Sequence, residues 1–89
     1  MASITDSFGQ ETVKRARYVQ AHGGRYLSWS TSESLAVALV LRDAGQIKAW
    51  GYSTREAALD RILSGMGRPP QSPAAWLRLL RAAATGLND

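Results

Sequence analysis

The chain has no cysteine, so its 89 residues can build neither a disulfide framework, nor a thiolate nucleophile, nor a cysteine-bearing zinc site. Histidine occurs once, as His22 beside Gly23 and Gly24, and no serine sits in a nucleophile elbow; a Ser-His-acid triad therefore has little to stand on. Long apolar runs are also missing. The longest, Leu35 to Leu41, falls far short of the ~20 residues that cross a bilayer, and Met1 to Gln10 is too polar for a signal peptide. The expectation is a cytoplasmic protein with no membrane partner. Acidic residues number seven against eleven lysines and arginines, a formal charge of +4 that favours anionic partners. Glu56 and Asp60 share a helix face but stand beside Arg55 and Arg61, which reads as mixed-sign solvated surface. The Gly65-Met66-Gly67-Arg68 stretch lacks the Gly-Lys-Ser/Thr ending that cradles phosphate. No catalytic residue, cofactor or metal is expected.

What is present suits one packed domain over residues 1–89: 45% of residues are hydrophobic, 20% are charged, and nothing repeats. Trp50 and Trp76 lie in apolar helical patterns and are expected in the core; Trp29, among serines, fits a core or an interface equally. Residues 1–9 read as a flexible arm from which Ile4 and Phe8 can dock. Gln10 to Ala21 carries helix-forming residues up to the Gly23-Gly24 pair, a left-handed stop. The competing reading pairs this stretch with Arg25 to Trp29 as a β-hairpin.

Ser30 and Glu33 have capping-box spacing and predict a helix from Thr31 to about Arg42, apolar on nearly every side and therefore central. The alternation of Leu35, Val37, Leu39 and Leu41 keeps a strand open. A short helix over Ala44 to Trp50 ends at Gly51. Ser53 with Glu56 repeats the capping box before a helix whose apolar stripe is Leu59, Ile62, Leu63 and Met66. Residues 65–72 form a Gly/Pro linker before a C-terminal helix over 73–85, capped by Ser72, begun by Pro73 and closed near Gly86, with Trp76, Leu77, Leu80 and Ala84 inward. The fold expected is mainly α, a compact bundle of four or five short helices. An α+β fold with one or two hairpins on two C-terminal helices is the alternative.

Positive charge gathers at Lys14, Arg15, Arg17 and Arg25, interleaved with Tyr18, Tyr26 and Trp29. Arginine and aromatics dominate protein hot spots and also serve phosphate contact with base stacking, so Lys14, Arg15, Arg17, Arg25, Tyr26 and Trp29 are the candidate partner-binding patch. Arg78 and Arg81, with Thr85, form a secondary basic face. A helix-turn-helix over Gln46 to Leu63 has the right outline. However, the bulky Ile47 stands four residues before the turn glycine, Asp60 stands nine after it, and the second helix balances its bases with acids.

The segments Thr31-Ser-Glu-Ser-Leu-Ala-Val-Ala-Leu-Val-Leu-Arg-Asp43 and Gly51-Tyr-Ser-Thr-Arg-Glu-Ala-Ala-Leu-Asp-Arg-Ile62 resemble a pattern in small helical proteins of phages and prophages, over about a third of the chain. Ala58 to Ile62 matches it well, whereas Asp43 to Gln46 is an insertion. The resemblance implies a helical fold and an accessory protein that binds host machinery. The expected function is accordingly non-catalytic: a small protein that occupies and inhibits host nucleic-acid-handling machinery, a CRISPR effector or restriction system being one concrete case. Direct, weakly specific DNA or RNA binding through the same patch is the alternative, and self-association is left open.

Overall fold

A computed structural model describes residues 4, 6–24 and 26–85, and within them the chain folds as five helices: α1 (Ser7–Ala21), α2 (Thr31–Val40), α3 (Ala44–Ala49), α4 (Arg55–Ser64) and α5 (Pro73–Thr85). It is a mainly α bundle. Among the described residues there is no strand, which corrects the hairpin alternative at both ambiguous stretches. No described helix is long and apolar enough to cross a membrane.

α2 is the axis of the molecule. Ser30 accepts the Glu33 amide while the Glu33 side chain takes the Ser30 amide, so the capping box forms as expected. From Ser34 to Val40 every residue is buried. α1, α3, α4 and α5 all pack on this helix, and α5 also packs along α1. Around it lie Val13, Ala16 and Val19 of α1, Ile47 of α3, Ala58 and Ile62 of α4, and Trp76, Leu80 and Ala84 of α5. Each large side chain here contributes about 1.5–3 kcal/mol by leaving water, which outweighs the lack of a polar face on α2. A helix apolar on all sides is stable only when so enclosed.

Several boundaries differ from expectation. α1 begins at Ser7 because Asp6 caps it, accepting the Gly9 amide at 2.6 Å. The arm expected over 1–9 is thus helical from its seventh residue. Residues 1–3 and 5 of that arm lie outside the described residues, and its described part is docked: Asp6 accepts the Trp76 indole N–H at 3.1 Å, and Phe8 stacks on Trp76. Gly9 is required at this corner, since a Cβ there would come within 2.9 Å of both Asp6 and Ile4. α4 is capped by Thr54, which accepts the Ala57 amide, and Ser53 stands one residue outside. Trp76 is buried as expected, whereas Trp50 is only half-buried and packs edge-on against Tyr26.

Three helices end in the same way, the amide two residues past the cap reaching back five residues: Gly24 to Val19, Asp43 to Ala38, and Tyr52 to Ile47. This turn needs a positive φ at the residue after the cap. Gly23 (φ 69°) and Gly51 (φ 95°) supply it for α1 and α3, but α2 uses Arg42 (φ 58°). The tight exit lets Asp43 serve three elements at once. It ends α2, caps α3 through the Gln46 amide, and accepts the Tyr26 hydroxyl at 3.2 Å.

Candidate functional site

The six residues of the candidate patch are not gathered in one place. Lys14, Arg15 and Arg17 all leave α1, yet at 3.6 residues per turn Arg15 and Arg17 diverge by roughly 200°. Arg15 turns toward the start of α2, where its guanidinium meets the Glu33 carboxylate at 3.2 Å and lies 5.9 Å from the centroid of Trp29. Arg17 turns toward α5 and donates to the Ala83 carbonyl at 2.7 Å, one of the last-turn carbonyls that no amide of the helix itself reaches. Lys14 is exposed between them, 3.4 Å from Glu11. Arg25 lies outside the described residues.

Tyr26 and Trp29, by contrast, are brought together, and with partners beyond those expected. The α1–α2 connector carries a continuous row of rings: His22 stacks on Tyr18, Tyr18 meets Trp29 edge-on, Trp29 meets Tyr26, and Tyr26 meets Trp50, with centroids 3.8, 6.3, 6.5 and 5.2 Å apart. His22 donates through Nδ1 to the Tyr18 carbonyl at 2.8 Å, a tautomer assigned from this contact, and so closes the end of α1. Burial, then the charge and hydrogen bond of Asp43, push the Tyr26 phenol well above its ordinary value, so it stays neutral and donates. At Glu33 the Ser30 amide and then Arg15 hold the carboxyl below the usual carboxylate range.

Between Tyr26 and Trp29 in the chain stands Leu27, 48% exposed and the one large hydrophobic side chain left in water among the described residues. Sequence reasoning passed over it. The available signal was an apolar residue in an irregular segment, Arg25-Tyr-Leu-Ser-Trp29, where no helical phase turns it inward.

The secondary basic face is also rearranged. Arg78 is exposed, but Arg81 is half-buried, with Nε and Nη2 both donating to the Leu39 carbonyl at 3.2 and 2.8 Å. Its first role is structural, meeting the negative end of α2. Arg78 and Arg81 line an open cleft of about 470 Å³ together with Arg42, Gln20, Leu41 and Thr85. Among the described residues, no three His, Asp or Glu side chains converge in a way that would hold a metal ion. Compared with family models, with curated proteins and with solved structures, the chain gives no match.

Proposed function

We propose that the chain is a non-catalytic binding protein that docks its α1–α2 connector onto a partner protein. Exposed Leu27 carries this reading, because it lies in the chain between Tyr26 and Trp29, aromatic residues that are already fixed. Tyr26 is tied to Asp43, and Trp29 is flanked by an arginine that is itself tied to Glu33. Tyr, Trp and Arg around an apolar centre are the chemistry of interface hot spots, and holding them in place before contact lowers the ordering cost of association. Lys14, Tyr18 and His22, four residues apart on α1, extend the same face and add one solvated positive charge. The partner surface that fits is an apolar pocket with an acidic rim. The phage-protein resemblance adds the role: occupying, and so inhibiting, host nucleic-acid-handling machinery such as a CRISPR effector. Direct nucleic-acid contact through the same residues has less support, since Arg15 faces a carboxylate and Arg17 is committed to Ala83.

The test compares wild type, Leu27→Asp and Trp29→Ala as baits for host nucleic-acid-handling proteins, followed by calorimetry on the purified pair. Leu27→Asp should fold normally and weaken binding by about thirtyfold, the mark of a hot spot of about 2 kcal/mol. Equal affinity for all three baits overturns the reading. So does binding to generic DNA that is lost in Trp29→Ala, because it would make the same rings a base-stacking platform.

A further inference from the structure

The cleft at the C-terminal ends of α2 and α5 goes beyond the proposed docking face and uses different residues. Among the described residues its lining includes three arginines and no carboxylate. The nearest acid in sequence, Asp43, is taken up by the Gln46 amide and the Tyr26 hydroxyl. Among the described residues, neither Arg42 nor Arg78 has an ion-pair partner, and the Arg81 guanidinium spends only two of its five N–H donors, both on the Leu39 carbonyl. Like charges placed together repel, so the folded chain spends stability to hold them. Burial first, then Arg42 and Arg55, lower the Arg81 pKa from its ordinary value.

Arg42 carries the inference further. It occupies the left-handed position that α1 and α3 fill with glycine, a conformation that costs a side-chain-bearing residue roughly 1–2 kcal/mol. Its backbone amide donates to the same Leu39 carbonyl that anchors Arg81, so one oxygen fixes the bases of two of the cleft's cations. Helix C-terminal ends repel anions, but here two of the carbonyls are already met by cations, Leu39 by Arg81 and Ala83 by Arg17.

We propose that this cleft is a binding site for a phosphoryl group, gripped by Arg42, Arg78 and Arg81 and flanked by the Gln20 amide. Planar guanidinium forks match phosphate oxygens in pairs, and a cleft of about 470 Å³ has room for a group of nucleotide size. A free phosphorylated small molecule and a nucleic-acid backbone present the same group.

The experiment follows backbone amide NMR shifts of the whole chain at constant ionic strength during titration with pyrophosphate, a nucleoside triphosphate, short single-stranded DNA and, as a carboxylate control, citrate. Arg42→Gly with Arg78→Gln is the comparison variant; it removes two cations that no described hydrogen bond needs and spares Arg81. Saturable shifts at Gln20, Arg42, Ala82 and Thr85 below about 10 mM phosphoryl ligand, weakened at least tenfold in the variant, are expected. A response to DNA alone assigns the backbone as source, with a log-log salt slope of about −2 that falls by about 0.7 for each arginine removed. A response to the small anions alone assigns a free phosphoryl ligand. No saturation, shifts elsewhere, an unchanged variant, or citrate binding as tightly overturns the proposal. Trp29→Ala should leave the titration unaltered, so failure here and failure of the docking face are read separately.

Discussion

Replacing Arg42 by glycine should make the protein more stable. At φ 58° the Cβ of Arg42 crowds the following carbonyl, a strain of roughly 1–2 kcal/mol that glycine does not feel. Glycine gives back about 0.5–1 kcal/mol through the greater freedom of the unfolded chain. No described hydrogen bond or ion pair of the Arg42 side chain is lost, and relief of repulsion with Arg81 adds to the gain. The net expectation is a stabilisation of about 0.5–1 kcal/mol, which in a domain of this size raises Tm by about 2–8 °C. Urea denaturation should show a higher midpoint at an unchanged slope, the mark of a stability change without a change in exposed surface. Gly51→Ala, at φ 95°, provides the opposite sign. If Arg42→Gly melts at or below the wild-type temperature, then the left-handed conformation is not a burden at this position. The reasoning that an arginine is kept there for something other than folding would fail with it.

Three further outcomes are expected. Arg81→Met should cost about 1.5–3 kcal/mol in urea denaturation, because the Leu39 carbonyl loses two charge-assisted donors, and Arg81→Lys should recover only part of this. Glu33→Gln keeps the capping geometry but not the charge and should cost less than about 1 kcal/mol, against about 1–2 kcal/mol for Glu33→Ala. Because the folded chain holds the Glu33 carboxyl below its ordinary value, its contribution is present above about pH 4.3 and fades as pH falls through the lower folded value. Glu33→Gln should flatten that part of the stability–pH curve, measured by thermal melts. Tyr26 acts at the other end of the scale: its raised pKa supports the fold below about pH 10 and ceases to do so as pH climbs beyond. One of the three tyrosines should therefore ionise late in a near-ultraviolet titration, and Tyr26→Phe should abolish that late component.

Much of the helical framework was legible because its signals are local. The Ser30–Glu33 box, the Gly23-Gly24 stop and the Ser72-Pro73 start each act within four residues, and the helices they imply are present. Where two neighbours share capping chemistry, as Ser53 and Thr54 do, local signals do not choose between them. Asp6 caps α1 through an amide only three residues on, a signal as local as the others, whereas its tie to Trp76, 70 positions away, lies beyond any local reading. The candidate site suffered most from distance in sequence. Arg15 and Arg17 look like one cluster in the chain, but each is claimed by a partner 18 or 66 residues off, on opposite sides of α1. Arg42, by contrast, joins Arg78 and Arg81 only because α2 ends in a turn that nothing about an arginine announces.

The enclosure of α2 by the four other helices also governs how the molecule comes apart. No helix can swing away without opening part of the stretch from Ser34 to Val40 to water. The amides of that stretch should therefore exchange with solvent deuterium only when the entire chain unfolds, and their exchange rate reports global stability directly. The amides of α3, six residues long and at the edge of the bundle, should exchange sooner through local fraying. An enclosed central helix makes unfolding a single cooperative event, so a partner that grips the α1–α2 connector would protect the buried stretch of α2 from exchange without touching it.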